Sequence, residues 1–302
     1  MKFSPPLAAA WIVLAALAAG AGLRAEDDAS AARRVLRAAL VTESGWPKVH
    51  AAEVLAAHGD PGAARAAFLA ELATHGGVPR DRIGIHRVLA RTAGTAAARR
   101  AEVAWLAGVL ADPQAPDRVL AAETLGKLGG PPEAAVLAAA RGWLATAEEE
   151  DAVFLQWLCW QAGDDDARRA IVGRLRSPRA ATRLRAAYVL RLTGTAEPAA
   201  LAELARAAAR EPVDSPARAI VVGAAYHLEA APAQCAAWRA ALEQLVADGP
   251  PPAAYDALQA LLPGYTAADA PHLRPLLAHA HSDVRTAAAW ALLAIDARSA
   301  RP

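Results

Sequence analysis

Eight predicted helix ends recur at nearly constant spacing along this 302-residue chain. Each end closes a segment rich in Ala and Leu, and successive ends are separated by 35, 35, 34, 31, 35, 35 and 32 residues. The eight positions are Gly59, Gly94, Gly129, Gly163, Gly194, Glu229, Gly264 and Asp296. A period in this range is typical of helical repeat arrays, in which each unit buries its apolar face only against its neighbours. The spacing therefore predicts an all-α fold, an α-solenoid.

Each repeat is predicted to contain two antiparallel helices. Proline stands at or beside many of the predicted helix starts, where its missing N–H costs nothing and its φ is already helical. The first helices are predicted at 28–42, 61–75, 96–111, 131–146, 165–176, 197–210, 232–248 and 267–279. The second helices are predicted at 46–58, 80–93, 116–128, 150–162, 179–193, 216–228, 252–263 and 282–295. We expect a right-handed superhelix of about eight such pairs.

The second helices share an Ala followed four positions later by a Leu. The pairs are Ala51 and Leu55, Ala121 and Leu125, Ala186 and Leu190, and Ala288 and Leu292. Residues four apart lie on one face of a helix. We expect this stripe to be buried, with the small Ala allowing a neighbouring helix to approach closely.

Repeats 1, 3, 5 and 8 resemble a known family, and two stretches carry the resemblance. The stretch 177–194, SPRAATRLRAAYVLRLTG, and the stretch 283–292 resemble HEAT repeats of the short bacterial, bilin-lyase-like type. The segment 46–91 is also similar to exported bacterial HEAT-repeat proteins. The resemblance implies a HEAT-like scaffold and no particular activity, because only the scaffold pattern matches.

The first 25 residues have the pattern of a signal peptide. Lys2 supplies the positive charge, residues 7–23 are apolar, and small residues that favour cleavage precede Glu26. We expect residues 1–25 to be removed, which leaves a HEAT-like domain over 26–302, periplasmic or secreted, with no membrane span. An uncleaved membrane anchor is the alternative, since 17 apolar residues reach the lower end of the spanning range of ~17–25.

The charge of the mature chain limits its partners. Residues 1–25 carry Lys2 and Arg24 but no acidic residue, so the net charge falls from +1 to −1 on cleavage. A near-neutral domain argues against nucleic acid, which selects a basic surface. Seven acidic residues within 148–166 are followed directly by eight arginines within 168–191. We expect these charges to pair in part, and Arg183 and Arg185 to face an acidic protein partner.

Aromatic and acidic residues share one slot of the repeat. Glu53, Glu123, Trp157, Tyr188 and Trp290 each stand six residues before the end of their repeat. Equivalent positions in a solenoid line up along one face, so these residues are predicted to form a binding groove. Aromatic side chains beside arginines are typical of binding hot spots, and Trp rings also suit sugars. The alternative is that this row packs against the first helices as core.

The sequence contains only weak candidates for chemistry. His50 and Glu53 stand one helical turn apart, as an acid–base pair requires, but we expect Glu53 to pair with Arg87 or Arg91 of the next repeat. The His and Asp residues within 279–283 lack an evident further ligand for zinc. No motif of a hydrolase, a nucleotide site or a zinc site is present in the sequence. We therefore expect no enzyme activity, no cofactor and no bound metal.

These observations favour a non-enzymatic protein-binding or assembly scaffold of the bacterial cell envelope. The alternative is an accessory binding protein for a carbohydrate or small-molecule system that uses the Trp and Tyr row. The final predicted helix is apolar on every side and no covering helix follows it. Self-association through Trp290 or Leu293 is therefore one expectation, and packing of Trp290 onto the preceding helix is the other.

Overall fold

The computed structural model describes residues 27–194 and 198–300, and this part of the chain is all-helical. Its sixteen α-helices form eight consecutive pairs, as the repeat spacing predicts. The first helices are α1 (Asp28–Thr42), α3 (Pro61–His75), α5 (Ala96–Ala111), α7 (Ala134–Leu144), α9 (Asp165–Arg174), α11 (Pro198–Arg210), α13 (Pro232–Asp248) and α15 (Ala270–Leu273). The second helices are α2 (Gly45–Ala57), α4 (Pro79–Arg91), α6 (Arg118–Leu128), α8 (Glu149–Gln161), α10 (Ala180–Thr193), α12 (Pro216–Leu228), α14 (Pro251–Leu261) and α16 (Ser282–Ser299). The predicted signal peptide, 1–25, lies outside the described residues.

Local sequence signals set most of the helix boundaries. The Asp27 carboxylate accepts a hydrogen bond from the Ser30 N–H at 2.7 Å and caps α1. The Thr95 hydroxyl caps α5 in the same way, since it accepts a bond from the Ala98 N–H at 3.1 Å. At the end of α10, Gly194 has φ = +66°, a left-handed conformation that costs glycine little.

The first helix of the last pair differs from its prediction. The sequence predicts one helix over 267–279, but the structure has a 3-10 turn at Ala267–Asp269, the short α15 and a 3-10 segment at Arg274–Ala278. Pro271 and Pro275 explain the break. Pro275 has no N–H to donate to the carbonyl four residues earlier, which is Pro271 O, so a continuous α-helix loses a bond there.

The core lies between and within the helix pairs. Each second helix packs against the second helix of the next pair, and the first helices cover this inner layer from outside. The Ala and Leu stripe of the second helices is buried, as predicted: Ala51, Ala121, Ala186 and Ala288 are fully buried, and Leu190 and Leu292 are 1% exposed. Small residues on this stripe allow close approach of adjacent inner helices.

The two ends of the array meet. Helix α16 packs extensively against α1 and also contacts α2. Two ion pairs join the ends: Arg274 Nε lies 2.6 Å from Asp28 Oδ1, and Arg285 Nη2 lies 2.7 Å from Glu43 Oε1. In the described residues the solenoid is therefore closed into a ring rather than left as an open superhelix.

Closure of the ring corrects the expectation of an uncovered final helix. Leu293 in α16 is 1% exposed, and Leu36 on the packed face of α1 is fully buried. The apolar face that suggested self-association is covered by the first helix of the same chain. None of the described helices is both long enough and apolar enough to cross a membrane.

Candidate functional site

The second helices surround a central cavity of about 720 Å³. Seven of the eight contribute to its wall, namely α2, α4, α6, α8, α10, α14 and α16. Because alternate helices of an antiparallel array run in the same direction, the carboxyl ends of all the second helices lie at one rim of the ring. The wall residues Ala57, Arg91 and Leu192 lie near those ends and are exposed. The mouth of the cavity is therefore at this rim.

The structure brings together the row that the sequence predicts. Glu53, Glu123, Trp157, Tyr188 and Trp290 all lie in the wall of the central cavity, although they come from five different repeats. The row faces inward because equivalent positions of the second helices point toward the ring axis. Its members differ in access: Trp157 is 2% exposed, whereas Tyr188 and Trp290 are half-buried.

Glu53 is held by two arginines of the next repeat, as expected from the sequence. Arg87 Nη2 donates a hydrogen bond to Glu53 Oε2 at 2.9 Å, and Arg91 Nε lies 3.2 Å from Oε1. Arg87 is 1% exposed and its guanidinium stacks on Trp46, 4.8 Å from the ring centre. Burial acts to raise the pKa of Glu53, but the charges of Arg87 and Arg91 outweigh it, and the pKa is lowered.

Glu123 and Lys127 form a second ion pair one repeat further along the wall. Lys127 Nζ lies 2.7 Å from Glu123 Oε1 and 5.1 Å from the centre of the Tyr188 ring. Burial acts to raise the pKa of Glu123, but Lys127 and then Arg87 lower it on balance. Both acidic members of the predicted row are therefore ionised and already paired with cations of the chain.

A polar cluster crosses the seam where the ring closes. His50 Nδ1 in α2 lies 3.2 Å from Asp283 Oδ1 in α16 and 3.0 Å from the Tyr255 hydroxyl in α14. The His50 and Tyr255 rings stack with their centres 5.3 Å apart, and burial raises the pKa of Tyr255 well above its ordinary value. His50 thus binds across the seam and makes no hydrogen bond with Glu53.

The tryptophans of the cavity wall differ in how much of their ring surface is open to the cavity. The Trp157 ring lies against Gly126, where a Cβ would stand about 2.6 Å from its Cζ3 atom, so the glycine makes room for the ring. Trp160 and Trp290 are half-buried and keep part of their ring surface in the cavity. Trp160, Trp290 and Tyr188 are therefore aromatic surfaces that a bound molecule can touch.

Arg191 in α10 and Asp256 in α14 also line the cavity. Arg191 is 5% exposed, and its Nη1 donates one long hydrogen bond, 3.4 Å, to the backbone oxygen of Asp256. Its guanidinium also lies 5.6 Å from the centre of the Tyr188 ring. Burial raises the pKa of Asp256 to about 6, although Arg191 and Lys127 act to lower it.

Arg183 and Arg185 do not belong to this site, which corrects their predicted role. Arg183 is 7% exposed and donates from Nε to Glu211 Oε1 at 2.8 Å. Arg185 Nη1 lies 2.7 Å from Asp151 Oδ1. Arg185 thus pairs with the acidic run of the preceding repeat, as expected in part, whereas Arg183 is buried against Glu211, outside that run, and is not left to face an acidic partner.

Several wall residues were not singled out from the sequence as binding residues. Lys127 follows Glu123 by four positions, and Arg191 follows Tyr188 by three. Residues three or four apart share a helix face. Positions one helical turn after the members of the predicted row would therefore have been expected to face the cavity as well. Asp256 offers no such signal, because its repeat has Leu258 in the shared slot.

The histidines of the α15–α16 turn do not form a metal site. His281 Nδ1 lies 3.9 Å from Asp283 Oδ2. Nowhere in residues 27–194 and 198–300 do three or more His, Cys, Asp or Glu side chains stand close enough together to hold a metal ion.

Comparison with protein-family models, with curated proteins and with solved structures finds no match for this chain. The resemblance to HEAT repeats stays a prediction from the sequence, and the site is interpreted from its own geometry.

Proposed function

We propose that this protein binds a small molecule in the central cavity, without chemically changing it, and that it does so outside the cytoplasm. The observation that carries the proposal is the cavity itself, about 720 Å³ in volume and enclosed by seven inner helices. Ligand sites commonly have volumes of about 300–1,000 Å³ and combine aromatic walls with a few fixed polar groups. This wall has both, in Trp160, Tyr188 and Trp290 and in its charged side chains.

The closed ring favours a small ligand over a protein partner at this site. A scaffold that used the inner surface of the second helices would need an extended, open groove. Here the ends of the array are joined by α1 and α16, and the inner surface encloses a space too small for a folded domain. A protein partner would have to bind the outer surface or the rim.

The state of Glu53, Glu123 and His50 supports binding rather than catalysis. Glu53 and Glu123 are both ion-paired, and His50 is engaged with Asp283 and Tyr255. A general base has to reach the proton that it removes. Groups already neutralised by neighbours serve better to fix the shape and charge of a binding site.

Native mass spectrometry of the mature protein tests the proposal. The protein is incubated with a small-molecule extract of its native envelope, desalted and analysed for bound mass. In Ala57→Trp a large side chain stands at the mouth of the cavity, whereas Ala66→Trp adds the same side chain on the exposed face of α3. We expect wild type and Ala66→Trp to retain a compound that Ala57→Trp loses. Equal retention by all three proteins, or retention by none, would contradict the proposal.

The proposed location has its own test. N-terminal sequencing of protein from fractionated cells should find a chain that begins near Glu26 in the fraction outside the cytoplasm. A chain that retains Met1 in the membrane fraction would establish the anchored alternative.

A further inference from the structure

Arg191 is the one cationic side chain of the cavity wall that has no carboxylate partner among the described residues. Arg87 and Arg91 pair with Glu53, and Lys127 pairs with Glu123. Arg191 has the long bond to the Asp256 backbone oxygen, the contact with the Tyr188 ring and an electrostatic attraction to the Asp256 carboxyl, but no ion-pair contact with it. A guanidinium that is 95% buried is ordinarily neutralised, because an unpaired buried charge is costly.

We propose that Arg191 binds a carboxylate group of a small ligand in the central cavity. This inference rests on the proposed function, which it deepens by naming the chemical class of the ligand. The planar guanidinium presents its N–H donors in a fork that matches the two oxygens of a carboxylate. The half-buried Tyr188 ring beside it, together with Trp160 and Trp290 of the same cavity wall, offers surface for a ring or an apolar body of the same ligand.

The charge of the wall favours one negative charge on the ligand. Four cationic side chains, Arg87, Arg91, Lys127 and Arg191, face three acidic ones, Glu53, Glu123 and Asp256. With all three acids ionised, the wall keeps one net positive charge, and Arg191 is the cation of the wall that makes no ion-pair contact with a carboxylate of the described residues. A single carboxylate balances this charge, whereas a doubly charged phosphate ester would bring an excess negative charge close to Asp256.

The arrangement of the polar groups also orients the ligand. Arg191 lies near the carboxyl end of α10 and therefore close to the mouth, while the polar cluster of His50 and Tyr255 lies nearer the amino ends of its helices. A ligand whose carboxylate meets Arg191 would also lie near Asp256, whose backbone oxygen accepts the long bond from Arg191 Nη1.

Matched pairs of acidic and neutral probes test the inference. Binding of glucuronate against glucose, and of benzoate against benzyl alcohol, is measured by calorimetry and by tryptophan fluorescence with the full mature chain. Glucose 6-phosphate serves as the phosphate probe. We expect the acid of at least one pair to bind about tenfold or more tightly than its neutral partner, the usual effect of a charge-assisted bond.

Variants assign this preference to Arg191. Arg191→Gln should lose the preference for the acid. Arg191→Lys should keep part of this preference, because the positive charge remains although the planar guanidinium donors are gone. Arg210→Gln removes the same charge from an exposed position of α11 and should behave as wild type. Thermal unfolding of each variant checks that the fold is retained. If Arg191→Gln fails to fold, the comparison of Arg191→Lys with wild type decides the role of the fork.

The outcomes separate this inference from the proposed function. Equal binding of the acidic and neutral members would overturn the inference and leave a small-molecule site. Tighter binding of the phosphate ester than of either carboxylate would overturn the assignment to a carboxylate. If no member of any pair binds, the inference is contradicted, while retention of a compound in the mass-spectrometric test still decides the proposed function.

Discussion

Asp256→Asn should stabilise the protein at neutral and alkaline pH but not in acid. Burial raises the pKa of this carboxyl from 3.8 to about 6, and Asp283 also acts to raise it, whereas Arg191 and Lys127 act to lower it. Because the folded state holds the proton more tightly than the unfolded state, protonation of Asp256 favours folding. This stabilisation is fully present below about pH 4 and is lost as the pH rises through about 6.

The size of the effect follows from the shift of about two pH units. Each unit corresponds to about 1.4 kcal/mol, so ionisation of Asp256 costs up to about 3 kcal/mol of unfolding free energy above pH 6. The side chain keeps some contact with the solvent of the cavity, and screening there reduces the expected cost to roughly 1–3 kcal/mol. The neutral amide has nearly the same shape and avoids this cost.

Urea denaturation at pH 4.5 and at pH 8 measures the difference. We expect Asp256→Asn to exceed wild type by roughly 1–3 kcal/mol at pH 8 and to approach it at pH 4.5. Asp214→Asn, which removes an exposed carboxylate, should remain within about 0.5 kcal/mol of wild type. A variant less stable than wild type at pH 8 would refute the reasoning, because it would mean that Arg191 stabilises the ionised carboxylate by more than burial costs.

Three further substitutions and one control test the packing. Leu190→Ala, at a side chain 1% exposed, should cost about 2–5 kcal/mol in chemical denaturation, whereas Leu192→Ala, at one 48% exposed, should cost less than about 0.5. Equal losses would show that the stripe is assigned to the wrong face. Gly126→Ala should push the adjacent indole ring, shift the tryptophan emission and cost about 1–3 kcal/mol, and an unchanged spectrum would speak against that contact. Leu293→Arg should cost more than about 3 kcal/mol, since it buries an unpaired charge, and a neutral result would mean that this side chain is not covered.

The sequence predicts the helix pairs well because their signals are local. Proline at helix starts, side-chain caps and glycine at helix ends act within a few residues, and the observed bounds mostly fall within one to three residues of the predicted ones. The first helix of the last pair is the exception. The segment 267–279 has the apolar composition of its equivalents, but Pro271 and Pro275 each remove a backbone donor, and the prediction gave too little weight to this loss.

Closure of the ring could not be predicted in the same way. Whether an array of helix pairs closes depends on the small rotation between neighbours, which accumulates over eight repeats and is set by the packing of many side chains. The pairs Arg274 with Asp28 and Arg285 with Glu43 join residues more than 240 positions apart, and no local pattern marks them. The apolar final helix correctly indicated a face that has to be covered. The surface that covers it is α1 of the same chain.

The site was predicted in part for the same reason. A shared slot placed Glu53, Tyr188 and Trp290 on one face, because equivalent positions of a repeat face the same way. Arg183 was assigned to the surface because the sequence gives the order of the charges but not their distances. Glu211, which neutralises it, lies in the loop after the next first helix. Asp256 and Arg191 gain their significance only from the cavity, which exists because the ring closes.

A distance between the two ends of the array tests the central claim, that the chain closes into a ring around the cavity. Spin labels are attached to cysteines at Asp28→Cys and Arg274→Cys, in a background with Cys159→Ala and Cys235→Ala, and the separation is measured by double electron–electron resonance. The ring predicts a short distance near the lower limit of the method, because these two positions form an ion pair. An open array would separate them by seven repeat steps of ~8–10 Å each, on the order of 50 Å or more. A distribution centred at that larger value would contradict the closed ring, and with it the enclosed binding site.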